Sequence, residues 1–378
     1  MNTTQKGEKF PEMQNTLVLD AAQGKTQNIV PVWVMRQAGR YLPEYHTVRN
    51  SAKDFFDLCQ TPSMATEVTL QPIDRFELDA SIVFSDILVI PQALGMEVVM
   101  VPGKGPSFPT PLDTPEDLIK LKKSSEVNVR ESLSYTLDTV TLVRQKLNGR
   151  VPLIGFCGAP WTLMAYMIEG EGSKTFAKAK SWLYKYPNQS HELLQTISDI
   201  IVEFLKEQAR HGAQMLMVFD SWAQILTPSA YQEFCLPYAI QIEKRVKSEI
   251  SQEEGFDFIP PMILFAKGAH FSMEEILAQT SYEVIALDWE TDVSYVHKLC
   301  KKLNRKVCLQ GNLDPCVLFG DRETIRAHTK EMIRSFYDPD GNVTHIANLG
   351  HGVYPTHDPE HVGWFIDAVH EFSKEIYK

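Results

Sequence analysis

The sequence has no long hydrophobic run and no excess of positive charge. Its apolar runs, such as Met262–Ala266 and residues 82–84, are far shorter than the roughly 20 residues that a membrane-spanning helix requires. Acidic residues outnumber basic ones by 48 to 37, which gives a formal net charge of −11 at pH 7. This balance argues against generic binding to nucleic acid or to an anionic membrane, because both need a broad basic surface.

Several common motifs for metal, nucleotide or hydrolase chemistry are also missing. The 6 cysteines include no Cys-x-x-Cys pair, which argues against a disulfide framework or a zinc ribbon. Gly103-Lys-Gly lacks the residue order of a phosphate-binding loop, and no Gly-x-Ser-x-Gly turn is present. His357 and His361 have the spacing of a metal-binding pair on a helix, but no third ligand accompanies them. The residues therefore give little support for a bound metal.

The N-terminal segment has none of the features of a targeting peptide. Residues 1–14 are polar and of mixed charge, without the apolar stretch of a secretory signal or the acid-poor composition of a transit peptide. We therefore expect a cytosolic protein, and we expect residues 1–14 to be flexible.

The chain alternates between short β-like runs and segments with helical periodicity. The β-like runs, each followed by a polar or Gly-rich stretch, are residues 29–35, 80–86, 151–158, 213–220, 261–268, 282–288, 307–311 and 343–350. Residues 130–147 and 193–210 have apolar side chains at helical spacing. Alternating β and α units predict a parallel sheet that is buried on both faces, and eight units predict one (β/α)8 TIM-type barrel domain over residues 1–378.

One connection is longer than the others and is predicted to be an insertion between strands two and three. Residues 86–151 should contain a hairpin, with arms near residues 98–101 and 103–108, followed by two charged helices. A doubly wound sheet is the alternative architecture. That fold usually has Gly-x-Gly-x-x-Gly after its first strand, whereas this chain has Arg-Gln-Ala-Gly-Arg-Tyr at residues 36–41.

Active sites of such barrels lie at the carboxyl ends of the strands, so the residues that follow each run are the candidates. Most of them are cations or neutral hydrogen-bond donors. They are Arg36, Gln37, Arg40 and Arg49 after the first run, Asp86 after the second, Tyr166 after the third, Asp220 and Ser221 after the fourth, Lys267 and His270 after the fifth, Asp288 after the sixth, Gln310 and Asn312 after the seventh, and Asn348 and His351 after the eighth.

The arginines after the first run suit a substrate with several carboxylates, because guanidinium groups bind carboxylates in a bidentate manner and stay charged. The alternative is a structural ion pair with a nearby acid such as Glu44. Asp86 is a candidate acid at the barrel mouth, but Asp220 and Asp288 end their strands in the same way, and each could simply cap a turn.

Neutral donors in the loops have structural alternatives as well. Tyr166 could reach the pocket or be a core aromatic residue, and Ser221 could bind a carboxylate or cap a helix. His351 lies between two glycines, where the backbone can approach a ligand closely, although a single loop histidine is commonly structural.

Several motifs resemble those of the uroporphyrinogen decarboxylase family, over about residues 31–370. The motifs are residues 31–44 (Pro-Val-Trp-Val-Met-Arg-Gln-Ala-Gly-Arg-Tyr-Leu-Pro-Glu), 84–96, 103–106, 155–163, 310–315 and 348–352. The resemblance implies a homodimeric cytosolic barrel enzyme of haem biosynthesis. Such an enzyme converts the four acetate side chains of uroporphyrinogen III to methyl groups, giving coproporphyrinogen III and CO₂, without a metal or other cofactor.

The resemblance also implies site residues. Catalysis is assigned to Asp86, Arg36 and Tyr166, with Asp86 meeting the pyrrole N–H groups at the centre of the macrocycle. The substrate-binding residues it implies are Arg36, Gln37, Ala38 through its backbone, Arg40, Arg49, Asp86, Tyr166, Ser221 and His351.

Two other functions remain open from the sequence. A related barrel family transfers methyl groups between corrinoids and thiols with the help of zinc, and it should have a His-x-Cys pair. This chain has Lys267-Gly-Ala-His270 after the fifth run instead. A tetrapyrrole carrier without catalytic activity would keep the arginines but would not need Asp86.

Overall fold

The computed structural model describes residues 10–25, 28–101, 105–253, 256 and 258–377. Of the motif at residues 103–106, residues 103 and 104 therefore lie outside the described part. The strands are β1 (Ser81–Ile82), β2 (Val99–Val101), β3 (Gly105–Ser107), β4 (Leu153–Gly158), β5 (Met215–Asp220), β6 (Met262–Ala266), β7 (Val284–Ala286), β8 (Val307–Leu313) and β9 (Val343–Leu349).

Helices precede β1 and follow most later strands. The α-helices are α1 (Leu17–Ala22), α2 (Pro43–Ser51), α3 (Phe55–Gln60), α4 (Pro62–Arg75), α5 (Val89–Ala93), α6 (Val129–Ser132), α7 (Ser134–Leu147), α8 (Pro160–Glu169), α9 (Ala177–Lys185), α10 (Pro187–Arg210), α11 (Pro228–Phe234), α12 (Leu236–Ser251), α13 (Met273–Gln279), α14 (Val293–Leu303), α15 (Arg322–Phe336) and α16 (Pro359–Ile376). Shorter 3₁₀ helices are Pro115–Lys120, Ser124–Glu126, Ala223–Ile225, His270–Ser272 and Pro315–Phe319.

Among the described residues, the main sheet has seven strands, all parallel, in the order β1-β4-β5-β6-β7-β8-β9. The last six predicted strands are confirmed, as β4 to β9. Their central residues are buried, which is why these runs read as continuous apolar sequence. The prediction of a parallel sheet is thus confirmed.

Both edges of the sheet approach one segment near Val32. Val32 forms a parallel bridge with Ala347 of β9, and the backbone N–H of Asp79, just before β1, donates to the Val32 carbonyl (2.8 Å). The sheet is therefore strongly curled. The full strand predicted over residues 29–35 is reduced to this single bridge, because Pro31 has no N–H and the N–H of Val32 donates to the Asp79 carboxylate (2.8 Å).

The region between β1 and β4 contains the predicted hairpin, formed by β2 and β3. The charged segment after it forms the 3₁₀ helices Pro115–Lys120 and Ser124–Glu126 in place of the first predicted helix. The helix predicted over residues 130–147 is divided into α6 and α7 at Leu133.

Inside the curled sheet lies a separate apolar cluster. It includes Trp33, Met35, Ala80, Ile82, Ile154, Met215, Met217, Ile263, Phe265, Val284, Ala286, Cys308 and Ile346, together with Val18, Leu19, Ala21 and Ala22. The last four residues belong to α1, and the hydroxyl of Thr344, near the start of β9, donates to the Ala21 carbonyl (2.6 Å). Helix α1 therefore covers the amino ends of the strands, and the carboxyl ends form the open mouth.

Part of the segment that the sequence suggests to be flexible has defined contacts. Gln14 donates its backbone N–H to the Gly149 carbonyl (2.8 Å), Arg144 donates to the Pro11 carbonyl (2.7 Å), and its guanidinium lies over the Phe10 ring. Residues 1–9 lie outside the described residues. None of the helices in the described part of the chain is long and apolar enough to span a membrane.

Candidate active site

The loop after the Val32 segment places Arg36 over the loop that follows β9. Arg36 has a left-handed backbone, with φ of 61°. Its side chain lies directly on Gly352, since a Cβ built there would come within 2.3 Å of the Arg36 Cδ atom. The backbone N–H of Val353 donates to the Met35 carbonyl (2.9 Å), so the two loops are joined. Solvent can reach Arg36 from the mouth, but burial by surrounding atoms lowers its pKa below the ordinary value.

Gln37 is only 1% exposed, and its side-chain amide is already occupied. The oxygen accepts from the Val34 N–H (3.2 Å), and the nitrogen donates to the Ala80 carbonyl (3.2 Å). These bonds tie the loop that carries Arg36 and Arg40, which we call the arginine loop, to the chain that enters β1. Gln37 therefore holds the loop in place, with one hydrogen bond at each polar atom of its amide.

The arginines after the first run do not form the ion pair with Glu44 that the sequence left open as an alternative. Glu44 pairs with Arg75 instead, through two bonds of 2.7 and 2.8 Å. Among the described residues, Arg36, Arg40 and Arg49 have no ion-pair or hydrogen-bond partner for their guanidinium groups. Charged groups held near a protein surface without a partner favour an anionic ligand.

The three strand-end aspartates differ in how their carboxylates are satisfied. Asp288 accepts from the Gly268 N–H, the Glu290 N–H (3.1 Å) and the Thr291 hydroxyl (2.9 Å), so it is a structural cap. Among the described residues, Asp86 accepts only from the Leu88 N–H (2.7 Å). Burial raises the pKa of Asp86, which one N–H bond only partly offsets.

Asp220, at the end of β5, is fully buried and accepts from the Thr162 hydroxyl (2.8 Å). Burial raises the pKa of its carboxyl to about 6, with the Thr162 hydroxyl and the Cys235 thiol acting in the opposite direction. Thr162 belongs to α8, which also carries Tyr166. The Trp161 indole donates to the Trp222 carbonyl (3.1 Å), so two bonds join the start of α8 to the end of β5.

We expect Thr162→Val to reduce the free energy of unfolding by about 1–3 kcal/mol at pH 8, and by less at pH 5. The Asp220 carboxyl is ionised at pH 8 but mostly protonated at pH 5, because its pKa is about 6. A charged acceptor loses more when its donor is removed. Urea unfolding at both pH values measures the difference.

The matched control is Thr329→Val, since the buried Thr329 hydroxyl donates to the Ile325 carbonyl (2.7 Å) within a helix. Its effect should be the same at pH 5 and pH 8. Equal losses at both pH values for Thr162→Val would contradict the role of Asp220 as the charged acceptor.

Tyr166 is electrostatically linked to both Arg36 and Asp86. Burial raises the pKa of its phenol, the Trp222 indole lowers it, Asp86 raises it further and Arg36 lowers it. The Tyr166 ring also packs against Phe176 and Trp222, with centroids 5.6 and 6.2 Å away. The phenol therefore lies within electrostatic range of both Arg36 and Asp86.

His351 is a neutral hydrogen-bonding group in this site. Burial lowers the pKa of its imidazole to about 3, and Arg36 and Lys267 contribute in the same direction. Its Nδ1 atom is buried and has no hydrogen-bond partner in the described part of the chain. A ring that stays neutral can offer one donor and one acceptor to a ligand, but it cannot act as a cationic acid near neutral pH.

The remaining sequence candidates contribute in different ways. Ser221 is partly buried between Asp220 and Trp222, and Ala38 packs against the apolar core. Arg49 and Asp86 both lie near the Cys59 thiol. Burial raises the pKa of this thiol, Asp86 raises it further and Arg49 lowers it. Arg36, Tyr166, Asp86 and His351 are thus brought together, while Arg40 acts on Arg36 electrostatically and Arg49 lies in the last turn of α2.

Two features of the site have no counterpart among the residues selected from the sequence. Gly352 is the seat of the Arg36 side chain, and the Trp289 ring lies 6.2 Å from His351. Trp289 follows the run at residues 282–288 directly, so its position at the end of a strand is the sequence signal that indicates it.

Phe156 and Phe219, whose rings are 5.5 Å apart, cover the apolar interior below the mouth.

The structure offers no metal centre in its described residues, where no group of three or more His, Cys, Asp or Glu side chains is arranged to hold an ion. His357 accepts from the Tyr354 N–H (3.2 Å), and His361 contacts the Leu318 carbonyl (2.7 Å), so each has a separate structural partner.

Comparison with known proteins gives one consistent family. The model of the uroporphyrinogen decarboxylase family matches residues 13–372. A uroporphyrinogen decarboxylase from Danio rerio is 51% identical over 98% of this chain and 96% of its own length. Those from Schizosaccharomyces pombe and Homo sapiens are 50% and 52% identical, covering 96% and 97% of this chain and 99% and 96% of their own lengths.

Solved structures support the fold. A methyltransferase from Methanosarcina mazei aligns with a TM-score of 0.71 over 96% of this chain and 99% of that one, at 18% identity. A B12-independent methionine synthase from Shewanella sp. W3-18-1 aligns with a TM-score of 0.52 over 93% and 96%, at 11% identity. At these identities the likeness concerns the fold alone.

Proposed function

The chain belongs to the uroporphyrinogen decarboxylase family, and we propose that it converts the four acetate side chains of uroporphyrinogen III to methyl groups, releasing CO₂ and giving coproporphyrinogen III. The observation that carries this proposal is the partly buried carboxyl of Asp86, which accepts one N–H bond and shares the mouth with arginines that have no partner in the described residues. A macrocycle with carboxylates at its rim and N–H groups at its centre is complementary to this arrangement.

Loss of CO₂ from an acetate arm needs a place for the electron pair of the breaking C–C bond. Protonation of the ring carbon beside the arm makes the pyrrole cationic. The electron pair then moves toward the ring as CO₂ leaves. A second proton adds to the exocyclic carbon, and the proton that had been added to the ring carbon is lost, which gives the methyl group. The Asp86 carboxylate stabilises the positive charge on the pyrrole nitrogens.

The other residues bind and orient the substrate. Arg36 and Arg40 hold carboxylates of the arms that are not reacting, and Tyr166 with Ser221 holds a side arm. The first ring proton can come from Arg36 or from a water molecule near Asp86. Burial lowers the pKa of Arg36, which makes it a stronger acid than an arginine in water.

The Val32 segment is proposed to occupy the remaining strand position of a (β/α)8 barrel, with the region between β1 and β4 as its insertion. Its bridge to Ala347 and its bond from Asp79 support this assignment. We further propose one barrel domain over residues 1–378 and a homodimer in the cytosol, as the family resemblance implies.

An anaerobic assay tests the activity. Purified protein is incubated with uroporphyrinogen III, and the products are separated by their number of carboxyl groups. We expect stepwise loss of four carboxyl groups, with the same turnover after dialysis against a metal chelator. Binding without any loss of carboxyl groups would identify a carrier, and turnover that the chelator abolishes would contradict metal-independent chemistry.

A further inference from the structure

A further cation, Lys267, reaches the mouth from a different part of the sheet than the loop that carries Arg36. Lys267 follows β6, which is the middle strand of the seven-stranded sheet, whereas the arginine loop follows the segment that adjoins both sheet edges. A tetrapyrrole carries carboxylates around its entire rim, so several cations at the mouth can each bind a different arm. Lys267 is the basic side chain at the end of this middle strand.

The backbone of Lys267 is fixed on both sides. Its N–H donates to the Asp220 carbonyl (3.1 Å), which joins it to the end of β5. The next residue, Gly268, has φ of +69° and donates its N–H to the Asp288 carboxylate at the end of β7. Gly268 also packs against Gln224, because a Cβ at Gly268 would meet the Gln224 Cβ at 2.3 Å. The lysine stem therefore starts from a defined position.

The Lys267 ammonium has an aromatic neighbour but no carboxylate partner. Its Nζ atom lies 5.4 Å from the centroid of the Trp289 ring, and that ring lies 6.2 Å from His351. Among the described residues, no ion pair or hydrogen bond involves this ammonium. The nearby Asp288 carboxylate is already occupied by the donors of its own loop.

The charges that face Lys267 leave its cationic form incompletely stabilised. Burial lowers the pKa of its ammonium, Asp288 and Glu290 raise it from a distance, and Arg36 lowers it again. A half-buried cation that rests on one aromatic face is stabilised further by an anion placed beside it. Because Lys267 lies near His351 and Arg36, an anionic group of a ligand in the mouth can reach its ammonium.

We propose that Lys267, seated on Trp289, binds a carboxylate arm of the tetrapyrrole at the part of the mouth next to His351. This inference rests on the proposed function for the identity of the ligand. It adds a substrate-binding residue that acts on affinity and not on the bond-breaking step.

Lys267→Met and Lys267→Arg test this assignment, with Lys244→Met as the control for loss of an exposed lysine on α12. We expect Lys267→Met to raise the KM for uroporphyrinogen about 10-fold, the size typical of a lost hydrogen bond to a charged group, with a smaller change in kcat. Lys267→Arg and Lys244→Met should stay near the wild type. The dissociation constant of uroporphyrin, the oxidised form, followed by tryptophan fluorescence, should rise in parallel with KM.

The thermal stability of Lys267→Met separates binding from a structural role, since a lysine without an ion pair can be removed without loss of stability. An unchanged KM and dissociation constant in Lys267→Met would overturn the proposal, and so would a marked fall in Tm that accompanies the rise in KM. Wild-type protein that binds uroporphyrin but does not decarboxylate it refutes the proposed activity alone, because the binding comparison still tests Lys267. Wild-type protein that binds no uroporphyrin refutes both.

Discussion

Asp86→Asn is expected to lower kcat by about 100- to 1000-fold, the size of effect seen when a preorganised electrostatic group is removed from an active site. The asparagine keeps the oxygen that accepts from the Leu88 N–H (2.7 Å), so the turn before α5 is preserved. Only the negative charge, which we propose faces the pyrrole nitrogens, is lost. Single-turnover decarboxylation under anaerobic conditions measures the chemical step directly.

The same variant should be more stable than the wild type at neutral pH. Burial raises the pKa of Asp86 above its ordinary value of 3.8, so the folded protein disfavours the ionised carboxyl. The unfolding free energy of the wild type therefore falls as the pH rises from the ordinary pKa of the unfolded state through the raised pKa of the folded state. The difference in unfolding free energy between variant and wild type should vanish below the ordinary pKa, where both side chains are neutral.

The pH dependence of activity gives a further control for Asp86. Wild-type kcat/KM should fall as the pH drops through the raised pKa of Asp86 in the free enzyme, because protonation removes the charge that stabilises the cationic ring. The residual activity of Asp86→Asn should lack this acid limb. A variant that keeps wild-type turnover, or one that keeps the acid limb, would refute the electrostatic role of Asp86.

Gly352→Ala should reduce kcat/KM by about 100-fold while leaving the fold intact. A Cβ at this position would lie 2.3 Å from Cδ and 2.5 Å from Cγ of Arg36, so the arginine side chain must move. Displacing a substrate-orienting group by about 1 Å is enough for an effect of this size. Steady-state kinetics with uroporphyrinogen, together with thermal unfolding, measures both properties.

The matched control for Gly352→Ala is Gly363→Ala. Gly363 lies within α16, and a Cβ there would meet only the Phe76 ring, at an ordinary distance of 3.7 Å. Alanine should stabilise the helix by about 0.5–1 kcal/mol and leave kcat/KM unchanged. Normal kcat/KM in Gly352→Ala would show that the position of Arg36 on Gly352 does not matter for turnover.

Much of the fold could be predicted because each strand signal is local. The strands from β4 to β9 are runs of buried apolar residues, so they stand out in the sequence. The first run failed as a strand because its pairing depends on Pro31, which cannot donate, and on the distant Asp79 carboxylate, which takes the Val32 N–H. Neither partner is visible in the residues 29–35 themselves.

The candidate site was only partly predictable. Position at the carboxyl ends of strands selected Arg36, Asp86 and His351 correctly as neighbours at one mouth. The same rule could not separate Asp86 from Asp288, since the two differ in exposure and in how many donors reach them, which the strand ends do not show. It also included Gln37, whose amide is used by the backbone of its own loop and of Ala80.

The sequence alone determined the order of strands and helices, the family, and the set of polar groups that could meet at the mouth, because these depend on local composition and on motifs along the chain. The tertiary structure decided which of those groups are free to act. Glu44 forms an ion pair with Arg75, and Asp288 accepts hydrogen bonds from neighbouring loops. The Arg36 side chain packs on Gly352. The state of a charged side chain depends on its burial and on partners from distant parts of the chain, and both exist only after the sheet has curled.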